Sequence, residues 1–243
     1  MAPIKISIIT VCYNAAQVIA PTLQSVANQH YPHIEYLIID GASQDNTREI
    51  VAQMIPQAQF ISEPDKGIYD AMNKGICSAT GDFIWFLNAG DTLRSDDTVR
   101  CVVKAIEAQA IQPEFVYGDT MIVDEAGHDL HLRRLRPPKQ LNANSFLDGM
   151  LICHQSMLVA RSIVLPYNLC YRLSSDYDWA IRMIARSKET LFIPEVLSNF
   201  QTGGASTRYK LRSLRERFAI MRRHYGTMRT IGAHIRFLFT PVR

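Results

Sequence analysis

Four short apolar runs dominate the beginning of this chain: KISIITVCY (Lys5–Tyr13), IEYLIID (Ile34–Asp40), AQFIS (Ala58–Ser62) and DFIWFLN (Asp82–Asn88). They are rich in Ile, Val, Leu and aromatic residues, lack clean polar alternation, and end in small or turn-forming residues, as strands buried on both faces require. The segments between them read as helices. One surrounds Pro21, Leu23, Val26 and Ala27, with proline tolerated in a first turn; the others span Thr47–Ile55 and Gly67–Ala79. A βαβαβαβ order folds as a doubly wound, mostly parallel sheet with right-handed crossovers, so the expected class is α/β. In such sheets ligands sit beyond the carboxyl ends of the strands, where the strand order reverses.

The rhythm breaks after a helix around Asp96–Gln109. EFVYGDTMIVDEAGHDLHLRR reads as strands about a turn at Glu125-Ala126-Gly127, and RRLRPPKQLNANSF as a basic, proline-broken surface loop. HQSMLVA reads as a strand, Asp176 to about Ser187 as a helix, and TLFIPEVLSNF as a strand pair. This predicts a main unit over residues 1–206, with halves 1–95 and 96–206, and a helical tail over 207–243. A hydrophobic content of 47% in 243 residues is ample for one packed core.

The net charge of +3 conceals an asymmetry: Arg208–Arg243 carries ten Lys and Arg against one acid, Glu216, while the remainder has sixteen basic and twenty-two acidic residues. Leu211, Leu214, Phe218 and Met221 recur every three or four residues, with Arg212, Arg215, Arg222 and Arg223 largely off that stripe, the pattern of a basic amphipathic helix. Two uses fit it: packing on the body, or attraction to an anionic membrane surface, where each nearby basic residue contributes about 1 kcal/mol. No nucleic-acid module accompanies the tail and the body is acidic, so nucleic acid is not an expected partner. Five cysteines form no C-x-x-C pair, the N-terminus lacks a leader pattern, and no apolar run reaches about 18 residues. These features predict a cytoplasmic protein, peripheral at most on the inner face of a membrane.

Polar residues punctuate the strand ends. Asn14, Asp40, Asp65 and Asp91 follow strands one to four and are expected on one rim. Asp40 opens DGASQDNT, where glycine permits a tight turn and Asp45 or Asn46 starts the next helix. FLNAGD closes the fourth run on a single carboxylate, Asp91, which is either the cap of the segment Thr92–Asp97 or an acid facing a ligand. In SSDYDWAIRMIA, Ser175 and Asp178 have the spacing of a capping box, with the helix starting at Asp176. Asp176 is then free in the first turn, where the helix dipole favours its ionised form by roughly 0.3–1 kcal/mol.

The ordered set ISIITVCYN, YLIIDGASQDNT, SEPDKGIYDAMNKG and FLNAGD resembles the family-2 glycosyltransferases of the GT-A fold. YGD (Tyr117–Asp119), CHQSMLVA (Cys153–Ala160), YNLCYRLSSDYDW (Tyr167–Trp179) and GGAS (Gly203–Ser206) extend the resemblance, towards small bacterial enzymes that build exopolysaccharides and glycolipids, over residues 4–206. It implies a nucleotide-diphosphate sugar donor, a glycan or lipid-linked acceptor, and Mn2+ or Mg2+ held by Asp91. Asn88 and Gly90 stand where relatives often have acids, which leaves Asn88 to bond a ribose hydroxyl or a metal-bound water. Thr10, Cys12, Tyr13 and Asn14 would line the base and ribose, and Asn73 and Gly90 are also implied in binding the nucleotide-sugar. Asp40 would accept an N–H of the base, which favours uracil and leaves GDP- and dTDP-sugars open. Lys66 either approaches the phosphates or is an exposed lysine at a helix start, and GGAS would close over the diphosphate with backbone N–H donors.

On the acceptor side the resemblance puts His154 and Gln155 against sugar hydroxyls; a core histidine with both nitrogens satisfied is the other reading of His154. Trp179 is either a stacking face for a sugar or a buried helix aromatic. Asp176 is the implied catalytic base and Asp178 the alternative. A base opposite a departing diphosphate gives in-line displacement with inversion, unlike hydrolases that place two carboxylates about the scissile bond. Two rivals remain at this level. A sugar nucleotidyltransferase would need a glycine-rich basic loop that VCYNAAQ lacks; a non-catalytic nucleotide-sugar-binding scaffold at the membrane is compatible with the reduced NAGD motif.

Overall fold

The computed structural model describes residues 2–202 and 209–239, so GGAS at 203–206 lies outside the described residues. The first part contains β1 (Ile6–Cys12), α1 (Ile19–Ala27), β2 (Ile34–Asp40), α2 (Thr47–Met54), β3 (Gln59–Ser62), α3 (Ile68–Ser78) and β4 (Phe83–Phe86). The second contains β5 (Thr92–Leu93), α4 (Thr98–Glu107), β6 (Phe115–Val123), β7 (Asp129–Leu132), β8 (Met157–Ala160), α5 (Ser175–Arg186) and β9 (Thr190–Gln201). Helices α6 (Lys210–Tyr225) and α7 (Thr227–Phe239) follow, and short 3₁₀ turns occur at Ala143–Asp148 and His154–Ser156.

One sheet runs in the order β3-β2-β1-β4-β8-β6-β9-β5, with β7 on β6. Its first four strands are parallel, and every residue of β1 and β4 is buried, which accounts for their unbroken apolar sequences. Strand β1 lies between β2 and β4, so the chain leaves it to one side and returns to the other. That reversal opens a crevice beyond the ends of β1 and β4. Helix α3 packs so closely there that a Cβ on Gly75 would stand 2.6 Å from Ile9 Cγ2.

The second half departs from a simple alternation. The segment expected as a strand pair is one strand, β9, whose twelve residues run parallel to β6 with register shifts around Asp119. The irregularity bends the strand, so that its far end also pairs with β5. The proline-broken loop contains the 3₁₀ turn at Ala143–Asp148, capped reciprocally by Asn142 and Ser145.

The tail helices pack on the body in a register different from the sequence stripe. Ile220 and Met221 are buried, whereas Leu211 and Leu214 are 76% and 57% exposed. Polar contacts set this rotation: His224 Nε2 lies 2.7 Å from Asp178 Oδ1, Tyr225 donates to the Ala143 carbonyl, and Ser213 bonds Ser174. No helix among the described residues is long and apolar enough to cross a membrane.

Candidate active site

Residues following β4, the start of α3, the start of α5 and the end of β9 enclose a cavity of about 890 Å³. Asn88, Gly90, Asp91, His154, Gln155 and Asp176 line it together, although the sequence spreads them over three distant segments.

Asp91 is buried at its wall. Gln155 Nε2 donates to Oδ2 at 2.6 Å and the Gln201 N–H donates to Oδ1 at 3.0 Å. Burial pushes its carboxyl up to about 7, only partly offset by those two donors. The capping alternative fails: Thr92-Leu93 is a strand, and the next helix starts at Thr98 behind Asp97. Nearby, Asn88 Oδ1 is shut off from solvent and has no hydrogen-bond partner. A buried carboxylate with no ion-pair partner among the described residues, near an orphaned carbonyl oxygen, suits a hard cation, which takes oxygen ligands and keeps room for substrate oxygens. Among the described residues, no group of three or more His, Cys, Asp or Glu side chains is gathered for a metal, so most ligands there would come from substrate and water.

Asp176 occupies the first turn of α5 and accepts a hydrogen bond of 3.0 Å from the Tyr69 hydroxyl. Burial and the neighbouring Asp176 hold the Tyr69 phenol well above its ordinary pKa, so it remains a donor. The capping box expected from Ser175 and Asp178 is absent: the helix starts at Ser175, whose hydroxyl donates to the Asn168 carbonyl. Asp178 is buried away from the cavity, between Arg182 Nε and His224 Nε2, both at 2.7 Å. Burial opposes its ionisation, yet those two donors hold it below the usual carboxylate range. Asp176 is therefore the acid of this motif that reaches the cavity.

The segment leading into helix α5 is held by the tail. Glu216, the tail's single acid, accepts from the backbone N–H groups of Arg172, Leu173 and Ser174 at 3.1, 2.8 and 3.1 Å. One carboxylate thus satisfies three successive backbone donors just ahead of the helix. Glu216→Ala is expected to lower the unfolding free energy by about 1–3 kcal/mol, measured by urea denaturation, because those donors lose their acceptor.

The floor of the cavity is aromatic. His154 stacks on Phe86 with ring centres 5.3 Å apart and shares a 2.6 Å hydrogen bond with the Tyr167 hydroxyl. Burial pushes its imidazole down to about 4, so it is neutral at physiological pH. Trp179 is buried outside the cavity, stacked on Tyr167 at 4.8 Å, with its indole N–H donating to the Leu165 carbonyl. It supports the floor and presents no face to a sugar. Asn73, expected near the nucleotide, is likewise committed elsewhere: both ends of its amide bond the backbone of Tyr167.

The rim over β1–β3 also differs from expectation. Thr10 is fully buried with its hydroxyl 2.9 Å from that of Tyr36. Asp40 is buried too, and takes hydrogen bonds from Ser43 N, Ser43 Oγ, Ser62 Oγ and Cys12 Sγ. Those four donors occupy its acceptor sites, so it organises the turn instead of facing a base. Burial beside Asp40 raises the Cys12 thiol pKa strongly, leaving it an inert donor. Tyr13 is 62% exposed, and Asn14, with a φ of 48°, bonds the facing turn through Ser43 and Gln44. The open acid there is Asp65: a Cβ on Gly41 would stand 2.5 Å from its Oδ2 and 3.3 Å from the Tyr13 ring. Lys66 is exposed and does not line the cavity.

Sequence reasoning missed Tyr69, Gln201, Arg133 and Arg217, all on the cavity wall. Tyr69 sits in a quoted motif, and Glu216 stood out as one acid among ten bases, but nothing local indicated what either would touch.

A family model for glycosyl transferase family 2 matches residues 7–165. An uncharacterised glycosyltransferase of Mycobacterium tuberculosis is 32% identical over 242 residues, covering 96% of this chain and 86% of its own. The PGL/p-HBAD biosynthesis glycosyltransferase of the same species is 31% identical over 215 residues, covering 85% and 80%. Staphylococcus aureus TarS in complex with UDP-GlcNAc superposes with a TM-score of 0.72 at 13% identity, over 96% of this chain and 71% of that one. The mannosyltransferase PcManGT of Pyrobaculum calidifontis, in complex with GDP-Man and Mn2+, gives 0.67 at 17%, over 99% and 77%. A sheet that reverses its order beside an acid-lined cavity, a family match over most of the length and relatives above 30% identity lead to one conclusion: the chain belongs to glycosyl transferase family 2 and has the GT-A fold.

Proposed function

We propose that this glycosyltransferase moves a sugar from a nucleotide-diphosphate donor to a hydroxyl of a glycan or lipid-linked acceptor, with inversion and with the aid of Mn2+ or Mg2+. The observation that carries the reading is the joint placement of Asp91 and Asp176 on one cavity, the first buried beside an orphaned carbonyl oxygen and the second held by a phenol. Relatives named for PGL/p-HBAD biosynthesis and, at 24% identity, for amylovoran biosynthesis in Erwinia amylovora support a role in glycolipid or polysaccharide assembly. Complexes of structural neighbours with UDP-GlcNAc, with GDP-Man and Mn2+, and with UDP and Mn2+ support the donor class and the metal.

In this reading residues 1–95 hold the donor, 96–206 supply the acceptor side, and 207–243 form the tail. Tyr13, Gly41 and Asp65 form the open rim for the nucleoside, where the Asp65 carboxylate accepts from a base N–H, as in uracil. Asp91 and Asn88 would hold the cation, which when bound supplies Lewis-acid stabilisation to the departing diphosphate. Gln155 and the Gln201 N–H fix the Asp91 carboxylate. Asp176 takes the proton of the acceptor hydroxyl, while Tyr69 holds one of its oxygens and fixes its direction. His154 is neutral and serves as a hydrogen-bonding wall. Outward-facing Leu211 and Leu214, flanked by Arg212 and Arg215, suit peripheral contact with an anionic membrane surface at its cytoplasmic face.

Incubating the purified protein with UDP-, GDP- and dTDP-sugars, with and without Mn2+, tests the donor reading. The expected result is metal-stimulated release of nucleoside diphosphate, with UDP-sugars preferred. Nucleotide-sugar binding without turnover in the presence of extracts containing acceptors would identify a scaffold, and release of pyrophosphate from a nucleoside triphosphate and a sugar phosphate would identify a nucleotidyltransferase.

A further inference from the structure

The cavity wall carries positive charge that the donor reading does not use. Arg133, Arg172 and Arg217 line it, from the segment after β7, the loop before α5 and helix α6 respectively. Among the described residues, none of the three has a carboxylate within ion-pair distance, although the molecule pairs many of its other arginines. Arg133 is tethered through its guanidinium to the carbonyls of Leu135 and Met150. Arg217 Nε is shut off from solvent and has no hydrogen-bond partner. Burial depresses the pKa of Arg133 and the nearby charge of Arg217 adds to this, against opposing contributions from Cys153 and Asp176, so the two guanidiniums are neighbours on the wall. Leaving a buried charged donor unpaired is costly, and a guanidinium fork matches the oxygens of phosphate.

We propose that Arg133, Arg172 and Arg217 bind a phosphate group carried by the acceptor, close to the hydroxyl that Asp176 deprotonates. A phosphate monoester brings about two negative charges, enough to answer two neighbouring guanidiniums, where a carboxylate brings one. The acceptor owns this site because two of the arginines lie by the start of α5, which carries Asp176 on the same cavity: Arg172 precedes α5, and Arg217 adjoins Glu216, which holds the segment leading into it. The donor diphosphate has its own acid and carbonyl at Asp91 and Asn88. Helix α6 is thus part of the binding site as well as a packing element. The assignment of the phosphate to the acceptor rests on the glycosyltransfer reading, whereas the existence of the anion site does not.

Calorimetric titration of the full chain with inorganic phosphate, with and without saturating UDP and Mg2+, tests both parts. Phosphate is expected to bind in either condition, Arg217→Gln to weaken it by roughly tenfold to a hundredfold, and UDP affinity to stay unchanged. Arg172→Gln, at an exposed position, serves the same comparison if Arg217→Gln melts early. Phosphate binding that is absent, or equal in wild type and variants, overturns the site. Displacement of phosphate by UDP, or weaker UDP binding in the variants, gives the arginines to the donor and overturns the acceptor assignment. Failure of wild type to bind any nucleotide would count against the donor reading alone, since the phosphate titration without nucleotide still decides the anion site.

Discussion

Asp176→Asn lowers kcat for sugar transfer by about 10²–10⁴-fold and leaves UDP affinity at the wild-type value, because positioned general bases contribute factors of that size to the chemical step. The substitution keeps the shape of the side chain and its bond with Tyr69, whose hydroxyl donates equally to an amide oxygen. What disappears is the capacity to accept a proton from the acceptor. Asp178→Asn separates the two acids of the motif. Asp178 touches Arg182 and His224 and faces no cavity, so its loss is expected in stability and not in the proton-transfer step. Single-turnover kinetics with calorimetric measurement of UDP binding reads both effects. An Asp176→Asn enzyme with wild-type kcat would remove the base from this scheme.

Asp91→Asn is expected to have two opposite consequences. Metal-stimulated activity falls by about 10²-fold or more, since a cation contributes several kcal/mol to stabilising the leaving charge and each 1.36 kcal/mol is tenfold in rate. Stability without metal rises at pH 8. Burial lifts this carboxyl from its ordinary 3.8 to about 7, so the folded protein retains a proton that the unfolded chain has lost. Between these two values the native state binds more protons than the unfolded state, and stability falls as pH rises. The full cost is reached above pH 7 and is of order 4 kcal/mol, at about 1.36 kcal/mol per unit. A neutral amide at this position avoids it, with Gln155 turning its own amide so that its oxygen accepts from the introduced NH2 group. Mn2+ is expected to raise the melting temperature of wild type at pH 8 and to leave the variant unmoved. Well below pH 3.8, where the wild-type carboxyl is neutral in both states, the difference in stability closes. Equal Mn2+ stabilisation of both proteins would show that the cation binds elsewhere.

Much of the fold could be read along the chain. Ile34–Asp40 occurs with the bounds that its composition suggested, and β1, β3 and β4 differ from theirs by a residue or two at the ends. Strands buried on both faces leave an unbroken apolar signature, and this part of the sheet consists of them. Strand β9 was less legible because its partners, β6 and β5, are remote in sequence, and the register shifts that bend it depend on pairing. The site was legible as a set of polar residues at strand and helix ends. Asn88, Gly90, Asp91, His154, Gln155 and Asp176 do share one cavity, whereas Thr10, Asp40, Asn73, Trp179 and Asp178 spend their polar groups on other parts of the fold.

Local chemistry alone determined where the strands and helices of the parallel part lie, since apolar periodicity and turn residues act over a few positions and need no distant partner. It also determined which residues were candidates, because carboxylates at strand ends are visible in any linear string. Tertiary structure decided which of those candidates are free to act. Asp176 and Asp178 are two residues apart on one helix, and the difference between them is a histidine and an arginine on one side and a tyrosine on the other. The role of an acid depends on the donors and the solvent around it, and those arrive from segments that meet only when the chain has folded.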